Sequence, residues 1–133
     1  MSDFEFTSHA DEVLEALEKA RANALTAIGM TAETYAKRET PVDTGRARNS
    51  ITYATSEYSG VGSYTDNNGN SYSDATARAQ AEEDAVYIGS NVEYFPYIEL
   101  GARNIEAHRM LRRAATEHTD EYKELAKQAF ENA

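Results

Sequence analysis

The sequence predicts an α+β domain in which one antiparallel β-sheet packs against a long N-terminal helix and a C-terminal helix. Segments near both ends of the chain repeat apolar residues at helical spacing, and two short stretches between them are rich in β-branched and aromatic residues. A chain of 133 residues is long enough for one hydrophobic core, so we predict a single domain over residues 1–133.

The first predicted element is a helix from about Asp11 to Arg38, preceded by an N-terminal arm of residues 1–10. Its apolar residues recur at steps of three and four, which places them on one stripe of a helix. The stripe consists of Val13, Leu14, Leu17, Ala24, Leu25, Ile28, Ala32 and Tyr35. A single helix with such a stripe needs a partner to cover it.

Local signals predict where this helix begins, bends and ends. Ser8 with Asp11 three residues later is typical of a helix N-cap. Gly29 in the middle predicts either a slight bend or a close neighbour. Thr40 precedes Pro41, and a residue before proline is disfavoured in the α conformation, so the helix ends there.

Two short strands are predicted on either side of a polar excursion. Residues 51–55 and 85–89 both combine β-branched and aromatic residues. Residues 56–84 between them are polar and rich in glycine and asparagine. This composition indicates an extended β-hairpin or a flexible loop.

Two helical elements are predicted after the second strand. A short turn of helix from Pro96 to Gly101 fits both residues, because proline is favoured at the start of a helix and glycine at its end. A single helix from about Arg109 to Glu131 follows. Its apolar stripe consists of Leu111, Ala114, Ala115, His118, Tyr122, Leu125, Ala129 and Phe130.

Composition excludes several classes of site. The chain has no cysteine, which excludes disulfides and thiolate metal sites. Its net charge of -10 disfavours binding to nucleic acid unless the arginines share one face. No apolar stretch approaches the roughly 20 residues that span a bilayer, and the acidic N-terminus is unlike a secretory signal. We therefore expect a protein made without export and without a membrane partner.

An enzymatic interpretation of one motif remains the alternative. Asp43-Thr44-Gly45 is also the triplet of aspartic proteases, in which paired carboxylates share one proton. Here Arg46 and Arg48 follow it, and their charges would keep the carboxylate ionised. We favour a turn in which Asp43 binds backbone amides, and we predict no catalytic site.

Neither a metal nor a cofactor is predicted. The three histidines are not spaced as metal ligands would be, for example as two on one helical face; they are His9, His108 and His118. The position of His118 on the apolar stripe predicts an ordinary, partly buried side chain.

One basic cluster stands out in this acidic chain, formed by Arg103, Arg109, Arg112 and Arg113. The last three are spaced to share a helix face. We favour a solvated face that pairs with Glu106 and Glu117. The alternative is a contact with DNA, with a neighbouring ring or with an acidic neighbouring subunit.

Two segments carry a family resemblance. Residues 40–51 have the sequence Thr-Pro-Val-Asp-Thr-Gly-Arg-Ala-Arg-Asn-Ser-Ile. Residues 86–101 have the sequence Val-Tyr-Ile-Gly-Ser-Asn-Val-Glu-Tyr-Phe-Pro-Tyr-Ile-Glu-Leu-Gly. They resemble, in the same order, the two signatures of the neck or tail-completion proteins of long-tailed viruses. The resemblance covers nearly the whole chain, although residues 107–114 lack the two prolines that the family usually has before its last helix.

The resemblance implies a virion structural protein of the head–tail neck or tail top, of a bacteriophage or an archaeal tailed virus. Such a protein assembles in the host cytoplasm into a homo-oligomeric ring of six or twelve copies. Its partners would be connector or head-closure proteins on one side and a tail terminator or tail tube protein on the other. DNA would pass through the bore without sequence-specific binding. Alternatively, the chain is itself a tail terminator or head-closure subunit.

We expect the segments Pro41 to Ser50 and Gly89 to Gly101 to form adjoining loops that organise both the sheet and the subunit interface. Tyrosines such as Tyr94 and Tyr97 suit interface centres, because they bury a large area and keep a polar tip. We expect the excursion to project to a neighbouring subunit, a neighbouring ring or the lumen. The predicted motif or interface residues are Pro41, Asp43, Thr44, Gly45, Arg46, Arg48, Ser50, Gly89, Asn91, Tyr94, Pro96, Tyr97, Glu99 and Gly101.

Overall fold

The fold is described by a computed structural model for residues 3–41, 46–56, 61–65, 69–75, 85–90, 92–104 and 106–132. These residues form an α+β arrangement, which confirms the predicted fold class. In chain order the elements are α1 (Asp3–Glu39), α2 (Arg46–Ser50), β1 (Thr52–Ala54), β2 (Val61–Thr65), β3 (Ser71–Ala75), β4 (Tyr87–Gly89), α3 (Phe95–Leu100), α4 (Met110–Thr116) and α5 (Thr119–Glu131).

A small antiparallel sheet lies against α1. Its strands β1 and β4 pair in the register Thr52 to Gly89 and Ala54 to Tyr87, at the two predicted strand positions. The polar excursion contains a separate antiparallel hairpin, formed by β2 and β3, and this hairpin contacts α2. The other residues of the excursion, 57–60, 66–68 and 76–84, lie outside the described part of the chain.

Small residues line the buried side of α1. From Ala10 to Thr40, where burial is described, the buried positions are Ala20, Ala24, Gly29, Ala32, Ala36 and Thr40. Small side chains allow neighbouring elements to approach the helix backbone closely. At Gly29 a Cβ atom would lie only 2.7 Å from the Tyr53 ring and 2.8 Å from a Val86 methyl group. Of the two alternatives predicted for Gly29, the close neighbour is therefore confirmed.

The beginning of α1 differs from the prediction. The helix begins at Asp3, so Ser8 lies inside it and the predicted N-cap is wrong. A serine inside a helix lowers the stability of the helix by only about half a kcal/mol relative to alanine. Ending the helix at Ser8 would cost more, because the backbone hydrogen bonds of the preceding residues would be lost. The acidic residues near the start also stabilise the helix, because their negative charge interacts favourably with the positive end of the helix dipole.

The predicted apolar stripe of α1 is only partly buried. Val13, Leu14 and Leu17 are 56%, 58% and 45% exposed, and burial begins at Ala20. The reason is the length of the partner helix. Tyr35 of α1 contacts His118, just before α5, so the two helices run antiparallel. At equal rise per residue, α5 ends at about the level of residue 22, and the first half of α1 extends beyond it.

The predicted single C-terminal helix is wrong, because the chain breaks between α4 and α5. The backbone leaves helical geometry at His118, where φ is -126° and ψ is 29°. The Tyr122 hydroxyl donates a hydrogen bond to the Ala114 carbonyl, one of the last-turn carbonyls of α4. The break lets α4 pack on the core while α5 runs along α1.

The main hydrophobic core joins α1, α2, α3 and α4. Its largest fully buried side chains with apolar character are Ile51 and Met110, and Phe95 packs beside them. Burying each such side chain contributes roughly 1.5–3 kcal/mol. The buried members are Ala36, Ala47, Ile51, Val92, Phe95, Met110 and Ala114.

We predict that Gly29→Ala destabilises the chain although alanine is the better helix former. The added methyl group would overpack against the Tyr53 ring, at a cost of about 1–3 kcal/mol. The better helix propensity of alanine offsets about 1 kcal/mol of that cost. Urea unfolding should therefore show a lower free energy of unfolding than in the wild type.

The exposed α1 residue Asn23 supplies the control. Asn23→Ala should leave the free energy of unfolding unchanged or slightly higher. In a Tyr53→Ala background the penalty of Gly29→Ala should be smaller, because only the close approach to the Val86 methyl group remains. A Gly29→Ala variant that is more stable than the wild type would contradict the close packing at this position.

Candidate assembly interface

The two signature segments meet at a pair of serines. The Ser50 hydroxyl donates to the Ala47 carbonyl at 2.6 Å, and its oxygen also lies 2.6 Å from the Ser90 hydroxyl oxygen. Since the single proton of Ser50 points to Ala47, Ser90 donates to Ser50. The Ser90 oxygen in turn accepts the Val92 backbone N–H at 3.1 Å. This chain of hydrogen bonds connects the end of α2 to the turn after β4.

An aromatic contact strengthens the same junction. The Arg46 guanidinium lies 5.8 Å from the centre of the Tyr94 ring, within the range of a cation–π interaction. Beneath it, Ala47 and Ile51 share the core with Val92 and Phe95. The structure thus places residues 46–51 and 89–101 side by side. The first segment contributes a short helix there, where the sequence suggested a loop.

Glu99 connects α3 to the start of α4. Its carboxylate accepts the backbone N–H of Leu111 at 2.9 Å and of Arg112 at 3.0 Å. Its backbone carbonyl accepts the Arg109 N–H at 3.1 Å. The first N–H groups of a helix have no partner inside the helix, and the N-cap residue Arg109 supplies no side-chain cap. Glu99 therefore caps α4 from a neighbouring element.

The left-handed backbone of Arg109, with φ at 50°, makes this turn into α4. Such a conformation is uncommon for a residue other than glycine. It also places Arg109 before the helix, so the predicted helix face shared by Arg109, Arg112 and Arg113 is wrong for Arg109. The two missing prolines of the family pattern fall in the same stretch, residues 107–114.

An exposed apolar surface lies on α3. Gly101, with φ at 87°, ends the helix and donates its N–H to the Tyr97 carbonyl, as expected of a helix C-cap. Tyr97 is 57% exposed and Leu100 is 71% exposed, three residues apart on one helix face. Of the two predicted tyrosine anchors, Tyr94 is partly buried against the core and Tyr97 faces solvent.

The four arginines divide into two groups. Arg113 pairs with Glu39 at 2.8 Å and with Glu117 at 3.1 Å, as predicted for Glu117, and these carboxylates raise its pKa, the Glu117 hydrogen bond most. The other three lie at the exposed corner formed by α3, the following turn and α4. Among the described residues, no ion pair involves Arg103, Arg109 or Arg112.

The remaining predicted residues are placed as follows. Pro41 is exposed just after α1, Arg48 is exposed on α2, and Gly89 is buried opposite Thr52 in the sheet. Pro96 is exposed in the first turn of α3. Four predicted residues lie outside the described part of the chain: Asp43, Thr44, Gly45 and Asn91. The protease triplet is among them.

A polar cluster between α1 and α5 was not predicted. The rings of Tyr35 and His118 stack with centres 3.5 Å apart, and the Tyr35 hydroxyl donates to the Glu121 carboxylate. That hydrogen bond is the main reason why the pKa of Tyr35 is raised, and burial raises the pKa of Tyr122 to about 12. Both phenols therefore stay neutral near pH 7. Sequence spacing had placed Tyr35 and His118 on facing stripes, but it does not give the register between two helices.

A shallow cleft of about 300 Å³ beside this cluster is lined by Met30, Thr31, Thr34, Tyr35, Arg38 and Glu121. Within the described ranges, no group of three histidine, aspartate or glutamate side chains is placed to hold a metal ion. The described helices also include none that is long and apolar enough to cross a membrane.

A family comparison covers the region that contains both signature segments. The model of a family described as "Bacteriophage HK97-gp10, putative tail-component" matches residues 4–101. The chain belongs to this HK97-gp10-like family. The matched region runs from α1 to the glycine that ends α3, so it includes the serine pair, the Arg46–Tyr94 contact and Glu99. Comparisons with curated proteins and with solved structures give no match.

Membership in the HK97-gp10-like family has direct consequences. A phage tail component is a structural protein of the virion, and it interacts with other virion proteins. This agrees with the predicted class and with the recognition of a phage morphogenesis family from the two segments. The helices α4 and α5 follow the matched region.

We predict that Glu99→Ala weakens the attachment of α4 in this HK97-gp10-like chain. The substitution leaves the Leu111 and Arg112 N–H groups without their acceptor, which costs about 1–3 kcal/mol of unfolding free energy. Urea unfolding followed by circular dichroism would measure the loss. Glu93→Ala is the matched control, because Glu93 is exposed two residues before α3 and has none of these contacts. Equal effects of the two substitutions would contradict the capping role.

Proposed function

We propose that the protein is a ring-forming subunit at the head–tail junction or tail top of the virion, which joins the connector to the tail tube. The observation that carries this proposal is the family match over residues 4–101, which makes the chain a tail component and includes both signature segments. The formation of a ring, its position in the virion and the passage of DNA through it go beyond the family match and are what we propose.

Exposed apolar side chains support a role in assembly. A soluble monomer rarely exposes contiguous apolar patches, and larger ones commonly mark protein–protein contacts. The exposed large apolar side chains include two separate sets, Val13 with Leu14 and Leu17 on α1, and Tyr97 with Leu100 on α3. Two different contact surfaces on one subunit are what a closed ring of identical copies requires.

The charge of the chain suits a conduit for DNA. A net charge of -10 makes nonspecific attraction to the phosphate backbone unfavourable over most of the surface. A ring with an acidic lumen would let the genome pass without holding it. The β2–β3 hairpin would project from the subunit toward a neighbouring subunit, a neighbouring ring or the bore.

We predict that a virus that lacks this chain makes filled heads and complete tails that do not join. Electron microscopy of lysates from infected cells would count free heads, free tails and joined particles. Because a ring between two assemblies contributes contacts to both, its loss should separate them without preventing either from forming. The control is the wild-type chain supplied from a plasmid, which should restore joined, infectious particles.

Other assembly defects would identify one of the alternative structural roles of the chain. Tails of uncontrolled length would indicate a tail terminator, and heads that lose their DNA would indicate a head-closure subunit. Normal infectious particles without the chain would overturn the proposed function.

A further inference from the structure

We propose that the first half of α1 in one copy docks on the corner between α3 and α4 of the next copy in the ring. The projecting half of α1 consists of residues 3–19, and the corner is formed by Tyr97, Leu100, Arg103, Arg109 and Arg112. This inference rests on the proposed ring and specifies which surfaces of the subunit close it.

The projecting half of α1 combines an apolar stripe with an acidic flank. At 3.6 residues per turn, Val13, Leu14 and Leu17 share one face of the helix, and Asp11, Glu15 and Glu18 lie along one side of it. All residues from 10 to 19 are exposed, since α5 ends before this part of α1. The segment from Asp3 to Lys19 carries six carboxylates and one lysine.

The corner between α3 and α4 is complementary to this half of α1 in both hydrophobicity and charge. Tyr97 and Leu100 expose an apolar surface of their own. Three exposed arginines follow in the chain, in the turn after α3 and in the first turn of α4, without an ion pair among the described residues. The capping contacts of Glu99 with α4 keep the apolar and the basic parts of the corner together. An apolar stripe with an acidic flank therefore fits an apolar surface with a basic border.

One copy cannot make this contact with itself. The corner is tied to the end of α1, because Arg113 of α4 pairs with Glu39 at 2.8 Å. Lys19 lies twenty residues earlier in the same helix, which is about 30 Å away at 1.5 Å per residue. The two surfaces are thus at opposite ends of the subunit, and the occupant that the charges favour is a second copy. A contact between two different surfaces of identical subunits is heterologous and generates a ring when the rotation closes.

Disulfide cross-linking in assembled virus particles tests this contact directly. The chain has no cysteine, so introduced thiols are the only ones it contributes. Leu14→Cys and Leu100→Cys, combined in one chain, should give a ladder of covalent multimers on non-reducing gels after mild oxidation. Both positions are exposed, so the substitutions should not affect folding. The matched control combines Leu100→Cys with Asn23→Cys, an exposed α1 position that lies outside the projecting half, and it should give no ladder.

The outcomes separate this inference from the proposed function. No ladder from particles that contain the chain as a ring would overturn the docking and leave the ring standing. Covalent dimers from Leu14→Cys alone would show that α1 pairs symmetrically with α1 of another copy, which also overturns it. Absence of the chain from mature particles would overturn the proposed function and this inference together.

Charge reversal tests the electrostatic part of the contact. The variant Glu15→Arg with Glu18→Arg should lower the cross-link yield by about tenfold or more, because like charges would face each other. Arg109→Glu with Arg112→Glu should have the same effect, and the combination of all four should restore the ladder. Asp120→Arg with Glu124→Arg on the exposed side of α5 is the control and should change little. Failure of the combination to restore the yield would overturn the charge pairing.

Discussion

The close packing along α1 is the constraint on which the rest of the structure depends. This helix contacts the small sheet, α2, α4 and α5, and between residues 10 and 40 the buried positions hold only alanine, glycine and threonine. Small residues let four elements approach one helix, and at Gly29 an added Cβ atom would lie only 2.7 Å from the Tyr53 ring. They also bury little apolar area each, so the core depends on larger residues that the signature segments supply, Ile51 and Phe95 among them.

The same constraint links the fold to assembly. Because α5 ends before this part of the helix, Val13, Leu14 and Leu17 of α1 remain exposed to another molecule. The signature segments act at the other end of the subunit. Their serine pair joins α2 to the turn after β4, and the Glu99 cap joins α3 to α4, which holds exposed leucine and arginine side chains at one corner. A subunit that exposes different apolar surfaces on α1 and α3 is suited to the proposed head-to-tail closure.

Local sequence signals predicted several secondary-structure elements and one close packing contact. The strand pair, the helical turn closed by Gly101 and the close neighbour of Gly29 each follow from a residue type with a specific backbone or steric preference. The two signature segments gave the phage family. The predictions that were wrong concern features that depend on tertiary packing. The helix breaks at His118 because α4 packs on the core while α5 packs along α1. The exposure of Leu14 follows from where α5 ends, and the Glu99 cap joins residues twelve and thirteen positions apart.

The most direct test of the proposed ring is cryo-electron microscopy of intact virus particles, averaged around the head–tail axis. We expect a closed ring of this chain between the connector and the tail tube. In that ring, the first half of each α1 lies on the α3–α4 corner of the adjacent copy. A mature particle without the chain, or a ring in which residues 10–19 of every copy remain in solvent, would contradict it.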